Sequence, residues 1–240
     1  MDIAGSVALV TGANRGMGRH FAAQLLERGA AKVYATARDP RKVDLPRVEV
    51  LSLDITDPAS VAAAAAAAGD VTLLVNNAGS ATYTDLVSGD LEQVRREMDT
   101  HFFGTLSVVR AFAPVLAATG GGAGGGAILN VLSALSFVAF PGSTAYHAAK
   151  AAAWALANGA RLDLAEQGTL VTALHVGAVD TDMTAGCDGP KNDPADVVRA
   201  ALDGIQAGRL EVLADEASAG AKASVAADPS ETYPSVVHGA

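Results

Sequence analysis

The 240-residue chain has little with which to build a cross-link, a basic surface or a membrane anchor. Its one cysteine, Cys187, rules out an internal disulfide and suits a reducing compartment, so the cytoplasm is the expected location. No base is apparent near Cys187, and it is not read as a nucleophile. Basic residues are few: 17 Lys and Arg against 26 Asp and Glu leave a formal charge of −9. With no basic stripe to neutralise phosphates, nucleic acid is not an expected partner. No unbroken apolar run of about 18 residues and no charged leader stands out, so the chain is expected to be soluble and unprocessed, with no membrane partner. The five histidines show no ligand spacing with acids or the cysteine, and no metal site is expected.

Apolar residues, by contrast, make up half of the chain, enough at this length for one large core. Runs of strand length recur near residues 7–11, 32–37, 48–53, 71–75, 127–132, 170–176 and 209–214, with helix-length segments between most of them. That alternation predicts an α/β protein: a single Rossmann-type domain with a doubly wound parallel sheet of about seven strands and helices on both faces. Ala62 to Ala68, behind Asp57-Pro58, reads as a crossover helix, and Gly120 to Gly126 as a surface loop within the domain. Residues 1–215 read as the dinucleotide-binding domain. Residues 216–240, rich in Ala, Ser, Pro and Gly, read as a C-terminal extension that is partly helical and then flexible.

Two motifs carry chemistry. Thr11-Gly12-Ala13-Asn14-Arg15-Gly16-Met17-Gly18 follows the first apolar run, and Phe21, Leu25 and Leu26 then recur at helical spacing. A strand, a glycine turn and a helix in that order bring a pyrophosphate to a helix N-terminus, where free N–H groups and the positive dipole end favour an anion. The spacing is Gly-x-x-x-Gly-x-Gly, not the Gly-x-Gly-x-x-Gly of other dinucleotide folds. Farther on, Tyr146 and Lys150 are four residues apart, so on a helix they project from one face about 6 Å apart along the axis. A cation about 4 Å from a phenol favours the phenolate by roughly 4 kcal/mol at an effective dielectric near 20, or about three pK units. A tyrosine so tuned can protonate the alkoxide formed by hydride addition to a carbonyl, or deprotonate an alcohol in reverse.

With both motifs in one chain, the sequence resembles the short-chain dehydrogenase/reductase family from about Ile3 to about Asp215. Gly12, Asn14, Arg15, Gly16, Met17 and Gly18 resemble its cofactor loop, Asn76-Asn77-Ala78-Gly79 its motif after the fourth strand, and Tyr146 with Lys150 its catalytic pair. Ser133, at the end of the apolar run 127–132, stands where the family keeps the serine that hydrogen-bonds the substrate carbonyl. The resemblance implies cofactor contacts also at Asn77, Ala78 and Gly79, at Tyr146 and Lys150, at Asp54 and Ile55 beside the adenine, and at Gly177, Val179 and Thr181 toward the nicotinamide. Two positions depart from the family. His101, in His101-Phe102-Phe103-Gly104, replaces an asparagine whose main-chain carbonyl holds a water linking the lysine to solvent. Its imidazole can preserve or join that relay, or simply sit packed beside Phe102 and Phe103. His175-Val176-Gly177 lacks the usual proline before the glycine, which loosens that turn.

A carboxylate at the end of the second strand binds the adenosine ribose of NAD, whereas an arginine there accommodates the 2′-phosphate of NADP. In Thr36-Ala37-Arg38-Asp39 the first charged residue is Arg38, and Arg15 offers a second cation. NADP(H) is therefore favoured, with Asp39 keeping NAD(H) open. The implied activity is reversible, NADP(H)-dependent reduction of a ketone or aldehyde to an alcohol, as a carbonyl reductase or alcohol dehydrogenase. Ser133, Tyr146 and Lys150 would handle the proton, with His101 as the fourth member of the site. The alternatives are an NAD-linked alcohol dehydrogenase and a non-catalytic NADP-binding regulatory protein, in which His101 and Val176 mark a decayed site. The partner is a small-molecule carbonyl or alcohol; Tyr83, Ala134, Leu135, Phe137, Phe140 and Met183 are candidates for an apolar substrate pocket, and equally for the core. A homodimer or homotetramer is expected through the helices near 99–118 and 145–167, where Ala151, Ala152, Ala153, Ala155 and Gly159 permit close approach; a buried alanine-rich helix explains the same residues.

Overall fold

Apolar strands buried on both faces need helices on both, and the chain supplies them in alternation. In the computed structural model, which describes residues 1–120 and 125–237, the strands are β1 (Val7–Val10), β2 (Lys32–Ala37), β3 (Glu49–Ser52), β4 (Leu73–Asn76), β5 (Ala127–Val131), β6 (Leu170–His175) and β7 (Glu211–Leu213). The helices are α1 (Gly16–Glu27), α2 (Pro58–Ala67), α3 (Leu91–Met98), α4 (Thr105–Thr119), α5 (Thr144–Asp163), α6 (Pro194–Gln206), α7 (Glu216–Ser224), α8 (Pro229–Thr232) and α9 (Pro234–Val237). All seven strands are parallel, in the order β3-β2-β1-β4-β5-β6-β7. This is the doubly wound sheet that the alternation predicts.

Side chains alternate across the sheet with period two. Ala8 and Val10 join one core with Phe21 and Leu25 of α1 and Val198 and Leu202 of α6. Leu9 joins the other with Val61 of α2, Phe112 and Leu116 of α4 and Ala160 of α5. Each such Leu or Phe contributes about 1.5–3 kcal/mol by burial. The crossover helices begin where Asp-Pro pairs stand: Asp57 accepts the Ala59 N–H ahead of α2, and Asp193 the Ala195 N–H ahead of α6.

The chain leaves β1 toward β2 on one side and returns to β4 on the other. That reversal of direction opens a crevice at the strands' C-terminal ends, between the loops leaving β1 and β4.

A helix expected near 99–118 begins earlier, at Leu91, and passes through a π turn over Asp99–Gly104 before α4. Gly104 and Pro114 look like helix breakers in the sequence, yet the helix runs through both. By length and mean composition the run Leu91–Thr119 is enough to cross a membrane, although Gly104, Arg110 and Pro114 interrupt its apolar residues. Val108, Val109, Phe112 and Leu116 within it are buried in the core under the sheet. A π turn inserts one residue into the helical ladder and re-aims the side chains around it, here His101.

Of the expected glycine-rich loop, residues 121–124 lie outside the described residues, as does the expected flexible end at 238–240. Asp215 ties the C-terminal helices to the sheet. It caps α7 through the Ser218 N–H at 2.8 Å and also accepts from the Gly177 N–H at 2.8 Å and Asn192 Nδ2 at 2.6 Å. Farther along, the Tyr233 hydroxyl accepts the Ala139 N–H at 3.1 Å. Burial pushes the Asp215 carboxyl up, but the bonds from Ser218, Gly177 and Asn192 outweigh it and hold the group below the ordinary carboxylate range. Its stabilisation is thus present above the unfolded pKa and lost as pH falls through the lower folded value. Asp215→Ala is expected to cost about 1–3 kcal/mol at pH 7. In urea denaturation at several pH values, the gap to the unsubstituted protein should close on acidification.

Candidate active site

The crevice is held open by one stitched pair of loops. Thr11 is buried after β1, and its hydroxyl accepts the N–H groups of both Asn77 and Ala78 at 2.9 Å each. Asn77 returns the contact, its Nδ2 donating to the carbonyls of Thr11 at 2.9 Å and Gly12 at 3.2 Å. Only glycine fits the turn between them: Gly12 has φ +67°, and a β-carbon there would stand 3.0 Å from Ala78 Cα. A β-carbon on Gly18 would stand 2.2 Å from the Gly12 carbonyl oxygen. Gly18 therefore serves the close approach of α1 to the turn and does not itself line the crevice. Among the described residues no side chain caps α1, which leaves its first-turn N–H groups to the crevice.

The crevice has a volume of about 1160 Å³. The expected residues Gly12, Asn14, Arg15, Gly16, Met17, Arg38, Asp54, Ile55, Asn77, Ala78, Gly79 and Thr181 all line it, together with Lys42, Ser80 and Thr100, which motif reading missed. At the end of β2, Arg38 is exposed beside the crevice, whereas the carboxylate of Asp39 is held by Arg41 Nε at 2.9 Å and by the Arg41 N–H at 3.2 Å. Arg15 is engaged by Asp182 at 3.1 Å across the crevice mouth. Asp54 accepts from the Thr56 N–H at 3.0 Å, so it closes the turn after β3 as well as lining the crevice.

Gly177 and Val179 are absent from the lining. Gly177 is held against Asp215, and the Val179 side chain belongs to the core under β6. Thr181 does reach the glycine turn, its Cγ2 standing 3.3 Å from where a Gly16 β-carbon would be. Among the residues expected around a substrate, Met183 lines the crevice, and Tyr83 donates its hydroxyl to the Met183 carbonyl. Phe137 instead stacks on His175 at 4.3 Å and meets Trp154 edge-on, and Ala134 is buried.

Beyond the crevice the structure gathers Ser133, Tyr146, Lys150 and His101. Ser133 ends the β5 run, its hydroxyl accepting the Leu135 N–H at 3.1 Å. One turn of α5 separates Tyr146 from Lys150, whose Nζ lies 5.6 Å from the phenol ring centroid and donates to the Val131 carbonyl at 3.0 Å. The His101 ring meets the Tyr146 ring edge-on at 5.2 Å. The expected lowering of the tyrosine pKa by the lysine is not what this geometry produces. Burial pushes the Tyr146 phenol well up, opposed in part by the Ser133 hydroxyl, and pushes Lys150 down to about 8. Taking both groups out of water penalises phenolate and ammonium alike, and the ammonium is directed at a carbonyl, not at the phenol oxygen.

The short chain dehydrogenase family model matches residues 6–191. The chain belongs to that family. A short-chain dehydrogenase from Burkholderia cenocepacia J2315, solved in complex with NADP, is 39% identical and superposes with a TM-score of 0.92 over 99% of each chain. A 3-ketoacyl-(acyl-carrier-protein) reductase from Brucella melitensis, solved with NADH, is 27% identical with a TM-score of 0.80, over 88% of this chain and 96% of that one. An uncharacterized oxidoreductase of Staphylococcus saprophyticus is 30% identical over 86% of this chain and 93% of its own length. The protein is therefore a short-chain oxidoreductase with a nicotinamide-cofactor fold, and the glycine turn, the uncapped helix and the crevice fit a dinucleotide.

Sequence reading also missed Glu97, fully buried behind His101; its only signal is the four-residue spacing that puts both on one helical face. Lys150 offers a direct check on the packing of the site. Its folded value of about 8 lies below the roughly 10.4 of an unfolded lysine, so between those pH values the unfolded chain binds more protons and stability rises with pH. Chemical denaturation of the cofactor-free protein should show stability gaining about 2 kcal/mol from pH 8 to 10 relative to Lys150→Met. A parallel pH dependence in the two proteins would contradict the burial.

Proposed function

We propose that the protein is an NADP(H)-dependent carbonyl reductase, reversibly an alcohol dehydrogenase, acting on a small ketone or aldehyde. The observation that carries this reading is the convergence of Ser133 and Lys150 on Tyr146, outside the crevice lining but joined to it through His101, which abuts both Tyr146 and the crevice residue Gly79. When bound there, a nicotinamide cofactor supplies or accepts the hydride. The Ser133 hydroxyl donates to the substrate oxygen and holds it against the phenol. Tyr146, a neutral phenol at physiological pH because burial holds its pKa up, gives its proton to that oxygen as negative charge develops on it. Lys150, fixed by the Val131 carbonyl, holds the cofactor ribose and lends the phenol a neighbouring positive charge.

Preference for NADP(H) rests on Arg38 and Lys42, both at the crevice, and on Asp39 being occupied by Arg41. We read the protein as cytoplasmic and as a homo-oligomer pairing through α4 and α5, in keeping with exposed Phe103 ahead of α4 and the small residues of α5. Loss of the proton donor in Tyr146→Phe should lower turnover of an aldehyde panel at least about a hundredfold, while the fold and nucleotide binding are retained. Comparable NADPH consumption by that variant sinks the assignment. Arg38→Ala should weaken NADPH binding roughly tenfold or more and leave NADH binding nearly unchanged, as read by isothermal titration.

A further inference from the structure

Glu97, at the end of α3, is the one acidic residue among the described residues with no exposed surface. Its Oε1 accepts the Thr82 N–H, and its Oε2 stands 3.3 Å from His101 Nε2 without a fully formed hydrogen bond. That same Nε2 faces the Ser80 carbonyl at 2.8 Å. A carbonyl and a carboxylate only accept, so Nε2 carries the hydrogen, and in the neutral ring Nδ1 is the nitrogen with the free lone pair. Burial, aided by the Lys150 ammonium, keeps His101 below its ordinary pKa against the pull of Glu97 and Ser80. Burial would likewise push Glu97 up, but His101 and Thr82 outweigh it and hold the carboxyl below its ordinary range. The result is a carboxylate in the protein interior, one imidazole away from Tyr146.

We propose that Glu97 is the buried counter-ion of the Tyr146 and Lys150 pair, a positioning residue that acts through His101, adding to burial in favouring the neutral phenol and opposing burial in favouring the charged ammonium. This rests on the reading of Tyr146 as the proton-exchanging group. The groups that bear on Glu97 are His101 from the π turn, Thr82 and Tyr83 from the segment after β4, with Cys187 beside Tyr83, and Tyr146 and Lys150 from α5; Ser133 at the end of β5 meets Tyr146. A negative charge raises the pKa of a phenol and of an ammonium together, and Glu97 acts upward on Tyr146 and on Lys150 alike. Without it, Lys150 would lose its proton in the neutral range and the phenol would ionise at lower pH. The π turn is what makes this possible, because it turns His101 inward between the acid and the phenol. Gly79 leaves room for the ring: a β-carbon there would be 2.9 Å from His101 Cε1.

The test follows Lys150 by NMR in cofactor-free protein labelled with 13C at lysine Cε, its resonance identified by its loss in Lys150→Met. The midpoint near 8 is expected to fall by roughly one pH unit in Glu97→Gln and to return toward the original in Glu97→Asp, which keeps the charge. An unchanged Lys150 midpoint in folded Glu97→Gln overturns the proposal. Should Glu97→Gln fail to fold, the Glu97 13Cδ resonance of the unsubstituted protein decides: ionised throughout neutral pH is expected, and a neutral carboxyl overturns it. Neither measurement needs turnover, so failure of the reductase reading is seen separately, as absence of carbonyl reduction by the unsubstituted enzyme. With turnover in hand, the rising limb of alcohol oxidation should move about one pH unit lower in Glu97→Gln.

Discussion

The site depends on the exchange of hydrogen bonds between Thr11 and Asn77. One buried hydroxyl accepts two backbone N–H groups from the loop after β4, and one amide returns two donors to the turn after β1. The two loops leave adjacent strands, paired as far as Val10 and Val75 with the Thr11 N–H on the Val75 carbonyl, and the stitch carries that pairing beyond the edge of the sheet. With it, the glycine turn is pressed against Ala78, and α1 starts close behind at Gly18. The crevice then lies where uncapped N–H groups can meet a pyrophosphate. Leaving such buried donors unpaired costs about 1–3 kcal/mol each, which makes the arrangement close to all-or-none.

Behind the crevice, burial sets the electrostatics. Tyr146 and Lys150 sit deep enough that desolvation opposes charge on both, and the ammonium is anchored to a backbone carbonyl. A helical spacing can place a cation near a phenol. It does not specify the dielectric around them, nor which acceptor the ammonium chooses. The protein adds a charge of the opposite sign in Glu97, delivered through a histidine at a π turn. This gives the substitution of histidine at position 101 a physical context: the imidazole has a carboxylate on one nitrogen and the face of the site on its other side.

Much of the fold was legible in advance. Each strand lies within or against an apolar run, and Asp-Pro pairs open α2 and α6 as cap chemistry requires. The glycine turn and the Tyr146 and Lys150 spacing located the site, because both motifs are local and their meaning does not depend on distant contacts. Harder to read were residues whose role is set by what they touch. Gly18 and Gly177 serve close packing, Phe137 stacks on His175, and Asp39 is spent on its neighbour Arg41. The helix through Gly104 and Pro114 was expected, but its start at Leu91 and its π turn over Asp99–Gly104 were not, because they depend on how the helix packs.

Local sequence therefore determined the alternating elements, the glycine turn and the pairing of a phenol with an ammonium on one helical face, since short-range sterics and periodicity decide each of these. Only the tertiary structure decided how far those groups are from water and which charges surround them. Glu97, distant in sequence from Tyr146 and Lys150, comes to act on both through His101 because a π turn and the packing of α3 against α5 put them in one desolvated space, where burial dominates both groups and the carboxylate adds to it at Tyr146 and opposes it at Lys150.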